Sequence, residues 1–137
     1  MLNERSIKAL EFVHPDLVRV AHEAAELSPI PFIVTEGLRT LERQKILFAK
    51  KLTQTMNSRH LPHPSDGLSR AFDFVPVVDG EITWKTSAFK PVIAAMKQAS
   101  KMLDVSIASG GDWLSFKDYP HIELRGTLRK FIAGLVK

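Results

Sequence analysis

Residues 58–76 read Ser-Arg-His-Leu-Pro-His-Pro-Ser-Asp-Gly-Leu-Ser-Arg-Ala-Phe-Asp-Phe-Val-Pro. The stretch changes character part-way. Its first part is rich in Ser, Pro and Gly and has no apolar period, the mark of an irregular loop. Its second part, Ala71-Phe72-Asp73-Phe74-Val75, is apolar apart from one carboxylate and reads as a strand. A charge in such a strand is costly to bury unless it is paired or bound to a metal. Asp73 therefore either lies on the solvent face of an edge strand or is held by a partner. The loop before it, 53–70, is long for a compact domain, and loops of that length are often functional.

The flanking sequence supplies the rest of the fold. Upstream, His14-Pro15-Asp16 has the form of a helix start, with Pro in the first turn. Leu17, Val20, Ala21, Ala24 and Leu27 follow at helical spacing until Ser28-Pro29. The run Pro31-Phe32-Ile33-Val34-Thr35 predicts a short strand that Gly37 ends, leaving Arg39 at a strand-to-helix junction. Thr40 is placed to cap a helix to about residue 50. Downstream, Asp79-Gly80 marks a turn before a strand over 81–84. Thr86 or Ser87 is expected to cap a helix to about residue 103, with Phe89, Ile93, Met96 and Leu103 facing inward. A strand over 105–108 is broken by Ser109-Gly110-Gly111, and 119–124 predicts another. Thr127 opens a final amphipathic helix with Leu128, Phe131, Ile132 and Leu135. Strands and helices mix without regular βαβ alternation. The expected fold is α+β, a small mainly antiparallel sheet with flanking helices.

Composition narrows the function. At 137 residues and 45% hydrophobic content, the chain fits one globular domain, 1–137. It has no cysteine, which excludes a disulfide scaffold, a thiol nucleophile and a cysteine-ligated metal. Any metal must be held by His, Asp or Glu. The net charge of +4 is spread along the chain and favours approach to a polyanion without forming a binding motif. The opening MLNERSIKALEF lacks the pattern of a secretory signal. No stretch approaches the roughly 20 apolar residues of a membrane span.

Three residues then stand out together. His121 and Glu123 are two apart on a predicted strand and share one face. Alone, His121 reads as a half-buried strand histidine bonded to a carbonyl, and His60 as an exposed loop imidazole. With Asp73 they make two nitrogen donors and one carboxylate, which with an open fourth position is a catalytic zinc set. Asp118, three residues before His121, is placed to act beside it.

These residues also lie in recognisable motifs. Ser58-Arg59-His60, Gly67 and Ala71-Phe72-Asp73 resemble the S-x-H-x-x-G-x-A-x-D motif of zinc peptidases of the D-alanyl-D-alanine carboxypeptidase family, which cut peptidoglycan stem peptides. Asp118-Tyr119-Pro120-His121 is similar to that family's second motif, and Gly37-Leu38-Arg39-Thr40 with Gln44 to its G-x-R-T-x-x-x-Q segment. Gly110-Gly111-Asp112-Trp113 resembles the phage branch, the L-alanyl-D-glutamate endopeptidases that serve as endolysins.

The resemblance implies a fold of the hedgehog/D-alanyl-D-alanine peptidase type and a Zn2+ cofactor held by His60, Asp73 and His121. It implies Asp118 as general base and then acid. Arg39 would hold a substrate carbonyl or carboxylate and help stabilise the oxyanion, with Gln44 and Trp113 also on the substrate side. The departure is spacing: twelve residues separate His60 from Asp73, far more than in the short form of the motif, and the extra material contains His63. His60 keeps the Ser-x-His context and is preferred, with 61–70 read as an enlarged loop. Asp112 is a rival base or a supporting residue, and Glu123 is a supporting or substrate-facing one. His14 and His22 read as helix surface or cap residues. Trp84 and Trp113 read as core or rim packing, with Trp113 also placed to line a substrate groove.

The expected activity is hydrolysis of the L-alanyl-D-glutamate amide of the stem peptide, as a phage endolysin in host lysis. The expected partner is the stem peptide, with no nucleic acid and no integral membrane association. A monomer is expected, held in the host cytoplasm until a holin opens the way to the periplasm and wall. The competing readings are a D,D- or L,D-carboxypeptidase of peptidoglycan and a non-catalytic, metal-stabilised wall- or nucleic-acid-binding module. Arg39 and Asp118 speak against the second, because binding alone needs neither a base nor an oxyanion donor.

Overall fold

Alternation along two strands sorts the chain into a core face and a working face. The computed structural model describes residues 1–51, 58–114 and 117–125. Strand β2 (Ala71–Val78) pairs antiparallel with β5 (His121–Leu124), with Ala71 opposite Glu123, Phe72 opposite Ile122 and Asp73 opposite His121. Side chains two apart share a face. Phe72, Phe74, Ile122 and Leu124 enter the apolar core, while Asp73, His121 and Glu123 stand together on the other side.

The other elements cover or extend this pair. Helix α1 (Glu4–Ala9) is capped by Asn3, and α2 (Pro15–Leu27) by His14, whose Nδ1 accepts from the Asp16 N–H. Strand β1 (Phe32–Glu36) precedes α3 (Leu41–Ala49), which Thr40 caps as expected. After β2 come the two-residue β3 (Glu81–Ile82), α4 (Thr86–Met102), β4 (Ile107–Ser109), a 3-10 turn at Gly110–Asp112, and β5. The order β1-β2-β5-β4 is antiparallel throughout, with β3 pairing the far end of β2. Leu17 and Val20 from α2 join Val92 and Met96 from α4 and Phe72 and Phe74 from β2 in one core cluster. Ser6 in α1 is buried, and its hydroxyl accepts the N–H of Val34, which docks the first helix on β1.

Several boundaries differ from the sequence reading. Asp73 does not lie on an edge: β2 runs between β1 and β5, so the edge-strand alternative falls. The strand expected over 81–84 stops at Ile82, and Trp84 is 65% exposed, with its ring 6.2 Å from Phe89. Helix α4 is preceded by Lys85 and has no side-chain cap, so neither Thr86 nor Ser87 caps it. Strand β4 begins two residues later than expected. Strand β5 begins at His121, because residues 118–121 form a turn in which the Asp118 carbonyl accepts the His121 N–H at 3.1 Å. The final helix expected from Thr127 lies outside the described residues.

Candidate metal centre and active site

Each member of the site is aimed by a local device. In Ser58-Arg59-His60, the Ser58 hydroxyl accepts the N–H of His60 at 3.1 Å, a serine turn that bends the loop. The loop is then clamped on both sides. Arg39 N–H donates to the His60 carbonyl at 2.8 Å, and Arg70 N–H to that of Arg59 at 2.9 Å. The His60 ring is fixed by its Nδ1, which donates to the Gly37 carbonyl at 2.8 Å. Gly37 must be glycine: a Cβ there would meet the Ala9 carbonyl oxygen at 2.2 Å and a Val13 methyl at 2.5 Å.

The opposite nitrogen of His60, Nε2, lies 3.2 Å from Asp73 Oδ1, and Nδ1 of His121 lies 3.4 Å from the same oxygen. The donor atoms of His60, Asp73 and His121 all fall within 4.8 Å of one another. His121 is also held from behind, its Nε2 donating to Glu123 Oε1 at 2.9 Å. A carbonyl and a carboxylate can only accept, so the outer nitrogen of each neutral ring carries the hydrogen. The inner nitrogens then present lone pairs toward a carboxylate oxygen. Neutral rings so placed call for a cation between them and Asp73, which in the metal-free protein is the proton on His121 Nδ1, and two nitrogen donors with one oxygen donor also fit a transition-metal ion with room for a further ligand. The residues present fit the metal.

Ionisation follows from the same crowding. Burial opposes charge on Asp73, but the attraction of His60 and hydrogen bonds from His121 and His60 outweigh it and hold the carboxyl well below the usual range. Burial also opposes charge on His121, yet its bonds to Asp73 and Glu123 prevail and push it up to about 9 in the metal-free protein. Asp118 goes the other way. Its burial and the nearby charge of Asp73 raise its carboxyl above the ordinary value, against the pull of His121, His60 and Arg39. A half-buried carboxyl raised in this way is suited to exchanging protons.

Arg39 is buried and pinned. Its Nε donates to Glu36, its Nη1 donates to Gln44 Oε1 at 2.8 Å, and its Nη2 lies 3.8 Å from Asp73 Oδ2. Gln44 is fully buried and occupied with Arg39, which makes it a support for the guanidinium. Trp113 is partly exposed, with its ring 5.2 Å from that of His121, at the rim of the site. His63 is not among the converging groups. Its Nδ1 faces Ser65, 3.1 Å from the Ser65 N–H and 2.7 Å from its hydroxyl. Asp112 points to solvent and pairs with Lys97 at 2.7 Å. His22 is exposed on α2.

Sequence reasoning passed over Glu36, Gly37 as an acceptor, and Arg59. The signal for Glu36 was its position three residues before Arg39. For Gly37 the missing signal was the close approach of α1, a contact between distant segments.

The family model for phage L-alanyl-D-glutamate peptidases matches residues 1–132. The chain belongs to the phage L-alanyl-D-glutamate peptidase family. Among the members it resembles is the L-alanyl-D-glutamate peptidase of Escherichia phage T5, 34% identical over 128 residues, which cover 90% of this chain and 89% of that one. The Listeria phage A118 enzyme of the same name is 29% identical over 99 residues, 72% of this chain but 32% of the relative. The chain thus spans about a third of the A118 peptidase's length. Among solved structures, the Serratia marcescens L-Ala D-Glu endopeptidase ChiX superposes with a TM-score of 0.82 at 35% identity, covering 93% of this chain and 90% of that one. In this family member, the motifs that carried the resemblance meet at one place: the Ser-x-His loop, the A-x-D strand and the D-x-x-H turn.

Proposed function

We propose that the chain is a zinc peptidase that hydrolyses the L-alanyl-D-glutamate amide of peptidoglycan stem peptides, acting as a phage endolysin in host lysis. The observation that carries the reading is the convergence of His60 Nε2, Asp73 and His121 Nδ1, with the outer nitrogens already occupied, in a member of this family. In this reading those three groups hold the metal. When bound, zinc would polarise the scissile carbonyl and lower the pKa of water toward about 7.

The chain's own residues do the rest. Asp118, half-buried and with a raised carboxyl, takes a proton from the attacking water and returns it to the leaving nitrogen. Arg39 offers a permanently charged, planar donor to the carbonyl oxygen or to a substrate carboxylate. Glu36 and Gln44 keep that guanidinium from swinging away, so its orientation costs little at the moment of reaction. Trp113 forms part of the groove wall beside His121. One domain suffices for these roles, working as a monomer. Among the described residues no helix is long and apolar enough to cross a membrane. A holin is the proposed route from the host cytoplasm to the wall.

The test is chelation and reconstitution. Stripping the metal should abolish release of new amino groups from purified peptidoglycan, and zinc should restore it. His60→Ala, Asp73→Ala and His121→Ala should each fail to hold zinc, whereas His63→Ala should keep it. Zinc retained by His60→Ala but lost by His63→Ala would contradict the ligand set.

A further inference from the structure

The carboxylate behind His121 is used by no step above. Glu123 follows His121 by two residues on β5, and the two side chains are buried together on one face. Its Oε1 holds His121 Nε2. Its other oxygen, Oε2, lies 3.5 Å from Nε of Arg59 and 3.5 Å from Nη1 of Arg125. Arg59 immediately precedes His60, and its Nη1 also reaches the Leu124 carbonyl at 3.4 Å. Glu123 therefore touches one imidazole directly and, through Arg59, the segment that carries the other.

We propose that Glu123 is the positioning residue of the metal centre: it keeps the hydrogen of His121 on Nε2 so that Nδ1 faces the metal, and with Arg59 it ties the His60 loop to β5. The inference rests on the metal-centre reading and deepens it by naming what sets the ring's orientation. The physical need is specific. A neutral imidazole carries its hydrogen on either nitrogen, and a half-turn of the ring exchanges the positions of nitrogen and carbon. Without an acceptor behind it, His121 loses its bias toward the productive form, and a buried N–H is left unsatisfied. A carboxylate in this place also makes the ring a stronger donor to the metal. His60 has a backbone carbonyl in the same role, so Glu123 is the member of the pair that a side-chain substitution can remove.

The experiment compares wild type, Glu123→Ala and Glu123→Gln. It measures zinc affinity by competition with a chromophoric chelator and the His121 ring by long-range nitrogen NMR of the zinc-loaded protein. Wild type should show His121 bound through Nδ1 with its hydrogen on Nε2. Glu123→Ala should bind zinc about 10–100-fold more weakly. Glu123→Gln keeps an oxygen able to accept from Nε2 and should recover most of that loss. The inference is overturned if wild-type His121 binds through Nε2, if Glu123→Ala holds zinc as wild type does, or if Gln is no better than Ala. Should Glu123→Ala fail to fold, the wild-type spectrum and the Gln variant decide. A wild type that takes up no zinc would instead overturn the metal-centre reading beneath the inference.

Discussion

At the scale of single residues, the site depends on groups that do no chemistry but have no substitute. Gly37 is the clearest. Its carbonyl fixes the His60 ring, and the space beside its Cα is filled by Ala9 and Val13. Gly37→Ala should therefore displace a backbone segment or the end of α1, lowering both zinc affinity and melting temperature. A variant with unchanged zinc affinity would show that the carbonyl does not orient His60. Asp118 poses the opposite case, a residue whose loss should spare the structure. Asp118→Asn should keep the fold and the zinc and lose about 10²–10⁴ in kcat, the usual contribution of a general acid-base group. Retained turnover there, with an inactive Asp112→Asn, would move the base to Asp112, against its exposed pairing with Lys97.

At the scale of elements, the 3-10 turn and β5 act as one unit. The Gly110 carbonyl accepts the Asp118 N–H at 3.0 Å, and a Cβ on Gly110 would meet the Asp118 carbonyl oxygen at 2.1 Å. Gly110→Ala should push the Asp118 turn outward and reduce kcat while leaving zinc bound, a split that kinetics and metal analysis read together. Equal loss of zinc would show that the turn supports His121 as much as Asp118.

Elements are also where the sequence was most and least legible. The apolar alternation around Asp73 announced β2, and Pro15 and Thr40 marked their helix starts, because the forces involved are local. The interior position of β2 was not legible, since it depends on pairing with β5 almost fifty residues away. The start of β5 was misread for a related reason: Tyr119 looks like strand sequence, but the turn at 118–121 takes it out of the ladder. Motif context singled out His60, Asp73 and His121, which the structure brings together, whereas the clamps on them, Gly37 and Arg59, are tertiary contacts without a pattern in the chain.

At the scale of the whole molecule, charge links folding to metal. In the metal-free protein His121 is pushed up to about 9 from 6.5, because its bonds to Asp73 and Glu123 outweigh burial. A group whose folded pKa is raised contributes stability fully below its unfolded value and loses it as pH rises through the folded one. The metal-free melting temperature should thus fall between about pH 6.5 and 9 on this account. Zinc should reverse the trend, since the ion takes the proton's place and binds more tightly as protons leave. A metal-free melting temperature that is flat or rising across that window would contradict the assigned hydrogen bonds.

The net charge of +4 acts at longer range. Exposed charges are screened beyond about 8 Å at physiological ionic strength. Added salt should slow lysis of whole walls more than cleavage of a short soluble stem peptide, and equal sensitivity would place the effect at Arg39 instead. Mass spectrometry of purified peptidoglycan digested by the zinc-loaded chain reads which bond is cut. Fragments with a new amino-terminal D-glutamate are expected. Fragments shortened by one terminal D-alanine, with the alanyl-glutamate bond intact, would contradict the proposed cleavage.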